Sequence, residues 1–126
     1  MPKYQSTMEA LADRIKAALE SADLSTFREL LDPNVRWGAP GDPAPACQNR
    51  EQVLAWYQRS RDSGVRASID EVVVGEGKLL VGLTLANASA GRDGGAQRWQ
   101  VLTLRHGRVV DIRGYDNRDE ATVGFE

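Results

Sequence analysis

Few residues in this chain could carry chemistry. Its 126 residues include one histidine, His106, and one cysteine, Cys47. His106 lies in Leu104-Arg105-His106-Gly107-Arg108, a two-residue glycine turn between strand-like runs, which puts it at a hairpin tip in solvent. A Ser/His/Asp or Cys/His mechanism and a histidine-based metal site are thereby set aside. Cys47 cannot form an internal disulfide and reads as a small buried hydrophobe, although its place just before a helix cap could instead lower its thiol pKa. Acid/base work is left to carboxylates. Asp23, Asp32, Asp42, Asp93 and Asp119 fall at caps, turns or loop tips. Asp70 and Asp111 fall inside strands, where Asp70 suits a salt bridge on an exposed face. Period two along the last run places Val110, Ile112, Gly114 and Asp116 on one face and Val109, Asp111, Arg113 and Tyr115 on the other. Asp116 is then either a usable acid/base carboxylate or, with Asn117, the cap of a terminal turn beginning at Arg118.

The aromatic residues are the second resource. Trp37, Trp56, Tyr57 and Trp99 can pack a core or form flat walls for a ring-shaped ligand, and each indole N–H needs a partner when buried. No phosphate loop, dinucleotide fingerprint or metal-ligand spacing occurs, so no cofactor is expected.

The elements that must position these residues follow from periodicity. Met8, Leu11, Ala12, Ile15, Ala18, Leu19 and Ala22 recur at helical spacing, which predicts an amphipathic helix over 6–21. Asp23 or Ser25 can cap a second, shorter helix carrying Phe27, Leu30 and Leu31, stopped by Pro33, and a short strand follows at Asn34–Trp37. Gly38, Pro40, Gly41, Pro43 and Pro45 make 38–48 a loop. Asn49 and Gln52 form a capping box for a third helix bearing Val53, Trp56, Tyr57 and Ser60, ended by Gly64. The period then changes to two, with strands at about 66–74, 78–87, 96–105 and 108–116 separated by Gly75-Glu76-Gly77, Gly91-Arg92-Asp93-Gly94-Gly95 and His106-Gly107. Such short turns require antiparallel neighbours. Helices first and a meander after them define an α+β domain with helices on one face of a curved sheet.

Composition bounds the partners. At 41% apolar and 27% charged residues with a net charge of −2, the chain suits one domain over 1–126 without a basic face, which argues against nucleic acid and anionic membrane. Neither a signal-peptide core nor a membrane-length apolar run is present, so a cytoplasmic protein is expected. Apolar alternation on both faces of 79–85 and 99–104 predicts cover on both faces, and hence a homodimer through the outer face of the sheet.

Three segments carry a family resemblance: Asp32-Pro33-Asn34-Val35-Arg36-Trp37, Cys47-Gln48-Asn49-Arg50-Glu51-Gln52-Val53, and Gly107-Arg108-Val109-Val110 leading to Tyr115-Asp116-Asn117-Arg118-Asp119-Glu120-Ala121. In order and spacing the chain resembles the nuclear transport factor 2-like superfamily, in particular its SnoaL-like branch of small bacterial proteins. The resemblance implies a cone: a bent antiparallel sheet wrapped around the N-terminal helices, as in cystatin-like folds, with a cavity at the open end. It puts the Val110, Ile112, Gly114 and Asp116 face inside. Related proteins include isomerases, polyketide cyclases, epoxide hydrolases, dehydratases and non-enzymatic binding domains, so the fold leaves function open. Against the resembling ketosteroid isomerases, Trp37 falls near the catalytic base, Trp99 near the strand acid and Ile15 at the helix-one tyrosine. All three catalytic types are missing, which argues against steroid-type isomerisation. Three functions stay open. One is binding of a small hydrophobic or aromatic molecule by Trp37, Trp56, Tyr57, Trp99, Gly114 and Asp116, with Gln100 helping to orient it. Another is a cyclase, isomerase or hydrolase using a buried Asp116. The third is a dimeric association module.

Overall fold

The computed structural model describes residues 3–21, 23–39, 41, 47–86 and 96–125. Asp42, Asp93, Ala22, most of the proline-rich loop and the turn at 91–95 lie outside them. The elements run α1 (Lys3–Ser21), α2 (Leu24–Leu30), β1 (Leu31–Gly38), α3 (Arg50–Asp62), β2 (Arg66–Val74), β3 (Lys78–Ala86), β4 (Ala96–Arg105), β5 (Arg108–Tyr115) and α4 (Arg118–Phe125). One five-stranded sheet has the order β1-β5-β4-β3-β2.

Local chemistry accounts for the boundaries. Asp23 caps α2, its carboxylate accepting from Thr26 N at 3.2 Å and Thr26 Oγ1 at 2.7 Å. Asn49 caps α3 through Gln52 N at 2.9 Å, while the Gln52 side chain accepts from Gln48 N at 2.7 Å. His106 and Gly107 both take positive φ, 54° and 78°, as the two-residue hairpin requires. His106 is exposed there.

Several features differ from the sequence reading, two of them around β1. Pro33 does not stop α2: the helix ends at Leu30, and Pro33 lies inside β1. A proline is tolerated there because β1 is an edge strand and its register with β5 shifts between Leu31 and Arg36. Second, β1 joins β5 in parallel, so the sheet is mixed rather than wholly antiparallel. A parallel neighbour needs a long crossover, and the whole chain from α3 to β4 supplies it.

Further register shifts, between Ile69 and Glu71 in β2 and between Thr103 and Leu104 in the β4–β5 pair, bend the sheet around the helices. Beside the first, Ile69 N donates to the Glu20 carboxylate of α1 at 3.1 Å. Asp70, at the same irregularity, accepts from Thr84 Oγ1 at 2.7 Å, a hydrogen bond where a salt bridge was expected. At the second, Asp111 pairs with Thr103 and Val109 with Leu104, leaving Val110 as the extra residue. The bulge corrects the predicted alternation: Val109, not Val110, joins Ile112 in the inner core, and both are fully buried.

The inner face of the sheet packs against α1, α2 and α3 through a core that includes Ile15, Phe27, Leu31, Val53, Leu79 and Leu102. The outer face is also covered, but by the chain itself. Helix α4 lies across it, burying Ala121 against Leu80 and Val101 with Val73, Trp99, Tyr115 and Phe125 around them. Asn117 accepts from Glu120 N at 2.8 Å and so takes the capping role open to Asp116 or Asn117. Arg118 fastens the helix to β2 by two bonds of 2.9 Å to Glu71, and this pairing holds the Glu71 carboxyl below its ordinary range. Cover by α4 explains why β3 and β4 read as apolar on both faces.

Candidate functional site

The rungs of the β4–β5 pair explain why the core stops short of the open end. On the inner face Leu104 pairs with Val109 and Leu102 with Ile112, and all four are buried. The next rung pairs Gln100 with Gly114. A Cβ built on Gly114 would meet no atom within 4 Å, so the space above the last apolar rung is empty. Arg98 and Asp116, one step further along the same face, are exposed. The inner surface therefore runs from packed apolar pairs, through one polar residue beside a void, to a charged rim.

The void is a cavity of about 330 Å³. Trp37, Gly38 and Ala39 close one side, Trp56 and Tyr57 of α3 another, and Leu19, Ala67, Ile69, Leu83 and Leu85 complete the apolar walls. A smaller cavity of about 70 Å³ shares Leu19, Trp56, Tyr57, Ala67 and Leu85 with it. A groove of about 350 Å³ between α1 and β2 is larger but lined by Glu9, Asp13, Lys16, Asp70 and Glu71. Among the described residues no cluster of histidine, cysteine or carboxylates could hold a metal there or elsewhere.

The aromatic side chains form one connected group. Trp37 stacks on Tyr57 with ring centroids 5.1 Å apart and 15° between planes, and meets Trp56 edge-on at 4.5 Å. Phe27 meets Tyr57 edge-on at 4.9 Å from below. The end of β1 that carries Trp37 is held by reciprocal backbone bonds with Cys47, 2.9 and 3.0 Å long. Trp56 is the exposed member, at 40%. Offset and edge-to-face contacts of this kind add to simple area burial and fix ring orientation.

Tyr57 and Gln100 bring polarity to this apolar setting. Gln100 is 8% exposed and its side chain lies beside the Tyr57 hydroxyl. Burial pushes the phenol up to about 12, against a partial opposing effect of the nearby Gln100 side chain. The hydroxyl therefore stays protonated across the physiological range. An unfolded chain releases this proton near pH 10 and the folded chain only near 12, so ionisation favours unfolding as the pH rises between these values. We expect stability to be intact below pH 10 and to fall by about 3 kcal/mol towards pH 12 from this group. Urea unfolding between about pH 9 and 11 checks the slope, which Tyr57→Phe should flatten.

The remaining sequence candidates separate. Trp99 borders the cavity, but its ring packs on the outer face, over Gly82 and 6.0 Å from the Arg118 guanidinium. Its neighbour Gln100 is the one that turns inward. Ile15 lies in the closed core at 1% exposure. Asp116 lines the cavity mouth, yet it is exposed and has no hydrogen-bond partner among the described residues. Asp111 is paired with Arg113 at 3.0 and 3.1 Å, and Arg113 reaches on to the Ala39 carbonyl at 2.8 Å, bracing the mouth. Burial pushes the Cys47 thiol up, which leaves it a poor nucleophile. Arg98 and the aliphatic walls were not singled out from sequence; the alternation Arg98, Gln100, Leu102, Leu104 is the signal that places Arg98 at the rim.

Comparison with known proteins agrees with this architecture. Bal32a from a soil-derived mobile gene cassette superposes with a TM-score of 0.73 at 23% identity, covering 95% of this chain and 96% of its own. An uncharacterised protein with a cystatin-like fold from Xanthomonas campestris gives 0.71 at 16% identity, covering 94% and 96%. An LEH-like epoxide hydrolase from M. tuberculosis gives 0.67 at 16% identity, covering 98% and 92%. At these identities the likeness is one of fold. No curated protein matches the sequence. The SnoaL-like domain matches residues 12–112, which span the inner helices and the sheet as far as the buried Ile112, and the chain belongs to that family within the nuclear transport factor 2-like superfamily.

Proposed function

We propose that the protein binds a small hydrophobic or aromatic molecule in the cavity between the sheet and the helices. The observation that carries this reading is the void of about 330 Å³ beside Gly114, walled by Trp37, Trp56 and Tyr57. Its size lies in the range of small-molecule sites, and mostly apolar walls with a few polar groups are the usual composition of such sites. An acid/base enzyme built on Asp116 has less support, because catalysis by a carboxylate at neutral pH calls for burial that raises its pKa, and Asp116 is exposed. The homodimer is likewise a proposal with less behind it, since α4 already covers the apolar outer face.

The test is calorimetric titration of the protein with bicyclic ring compounds such as 1-tetralone. Saturable one-to-one binding with a negative heat-capacity change is expected, as apolar surface leaves water. Heats that never saturate for any member of a ring-compound panel would remove the reading.

A further inference from the structure

We infer that the smaller cavity of about 70 Å³ is a second compartment of the same site, taking an unbranched alkyl tail carried by the ring compound in the larger one. This inference rests on the binding reading above and narrows the ligand to a ring with a short tail. The smaller cavity lies where α1, α2, α3 and the start of β2 meet, walled by Ala18, Leu24, Phe27 and Val65. None of these four borders the larger cavity, whereas Leu19, Trp56, Tyr57, Ala67 and Leu85 border both. At most one layer of side chains therefore stands between the two voids.

That layer is uneven. Tyr57 is fixed from two sides, by Trp37, which borders the larger cavity, and by Phe27, which borders the smaller. Ala67 of β2, paired with Leu85 of β3, is the shortest of the five shared side chains and leaves the least bulk in the way. The walls of the smaller cavity are mostly apolar, so water fills it poorly, while an alkyl group would restore the dispersion contacts that an empty space forfeits. Size and surroundings set the length of the tail. About 70 Å³ holds roughly two water-sized groups, and thus a chain of roughly two or three carbons. At its edge stand Glu20, Arg61 and Arg66, all exposed, with the Glu20 carboxylate on Ile69 N and the Arg66 guanidinium on the Val65 carbonyl, each at 3.1 Å. A longer tail leaves the apolar walls for this charged surface and gains nothing further.

The test is calorimetric titration of wild type, Ser60→Leu and Val65→Phe with 1-tetralone, 6-propyl-1-tetralone and 6-hexyl-1-tetralone. Ser60 and Val65 border the smaller cavity and not the larger, and Val65 N donates to the Ser60 carbonyl at 3.0 Å, so both enlarged side chains fill the tail space from the α3–β2 connection. The readout is the ratio of affinities for alkylated and parent ketone within one protein, in which a general effect of the substitution cancels. In wild type the propyl compound should bind at least about tenfold tighter than 1-tetralone, since each buried carbon is worth about fourfold, and the hexyl compound should add less than about twofold to that. Each variant should bring the propyl ratio to within about twofold of one. Circular dichroism confirms folding; if one variant fails to fold the other decides, and the chain-length profile of wild type stands without either. A wild-type propyl ratio near one, a gain that keeps growing through hexyl, or a ratio unchanged in the folded variants overturns the tail compartment alone. Failure of all three compounds to bind wild type overturns the cavity reading and the tail compartment with it.

Discussion

Replacing Gly114 by leucine should abolish measurable binding of ring compounds while making the protein more stable. A substitution that merely disrupted the fold would lower both properties, so the opposite signs are diagnostic. Gly114 pairs with Gln100 on the inner face, and a Cβ at this position meets nothing within 4 Å. A leucine side chain therefore grows into the void and buries apolar surface against Trp37, Leu83 and the neighbouring walls. Burial, together with the loss of glycine's extra freedom in the unfolded chain, should stabilise by about 1–2 kcal/mol. Affinity should fall by more than about tenfold, because the leucine occupies the volume a ligand needs. Gly114→Ala is the graded control, with a smaller change of the same signs. Chemical denaturation and calorimetry on the same samples check both halves. Unchanged affinity in a stabilised Gly114→Leu protein would show that ligands bind elsewhere.

Gly82→Ala should be among the most damaging single-methyl changes available in this protein. On the outer face Gly82 lies opposite Trp99 in the β3–β4 register, and the Trp99 ring lies directly over it. A Cβ at position 82 would overlap that ring, and the conflict is with a bulky aromatic rather than the end of a flexible chain. The ring must move, and it is part of the cluster that seats α4 with Tyr115, Phe125 and Ala121. We expect a loss of about 1–3 kcal/mol, in the range of overpacked cores, and a thermal midpoint lower by roughly 10 °C. Trp99→Leu should cost stability alone but relieve Gly82→Ala, giving a coupling of about 1–2 kcal/mol in the double-mutant cycle. An alanine at 82 that costs less than about 0.5 kcal/mol would mean the ring is not seated as described.

Local patterns were legible wherever one signal dominated. The amphipathic face of α1, the Asp23 and Asn49 caps, the meander and the His106-Gly107 turn all depend on residues near one another in the chain, and the structure has each of them. Pro33 shows where such reasoning stops. Its helix-ending chemistry is local, whereas its place inside β1 depends on that strand being an edge with an irregular register. Trp99 shows the same limit at the site. Which face of a strand is inward follows only from pairing, and β4 is apolar on both sides, so alternation alone could not separate Trp99 from Gln100.

Sequence alone therefore determined the order of the elements from α1 to β5, the α+β class and the family resemblance, because these rest on periodicity, caps and turns that short-range sterics and hydrogen bonding decide, whereas α4 was legible only as a terminal turn. Only the tertiary structure decided that the bulge at Val110 rotates β5, that α4 covers the outer face, and that the apolar rungs end at Gln100 and Gly114 to leave a cavity. Those outcomes depend on which distant residues share a rung or a face, and on volume left unfilled between them. No local pattern encodes an empty space; it exists only once the walls have been brought together.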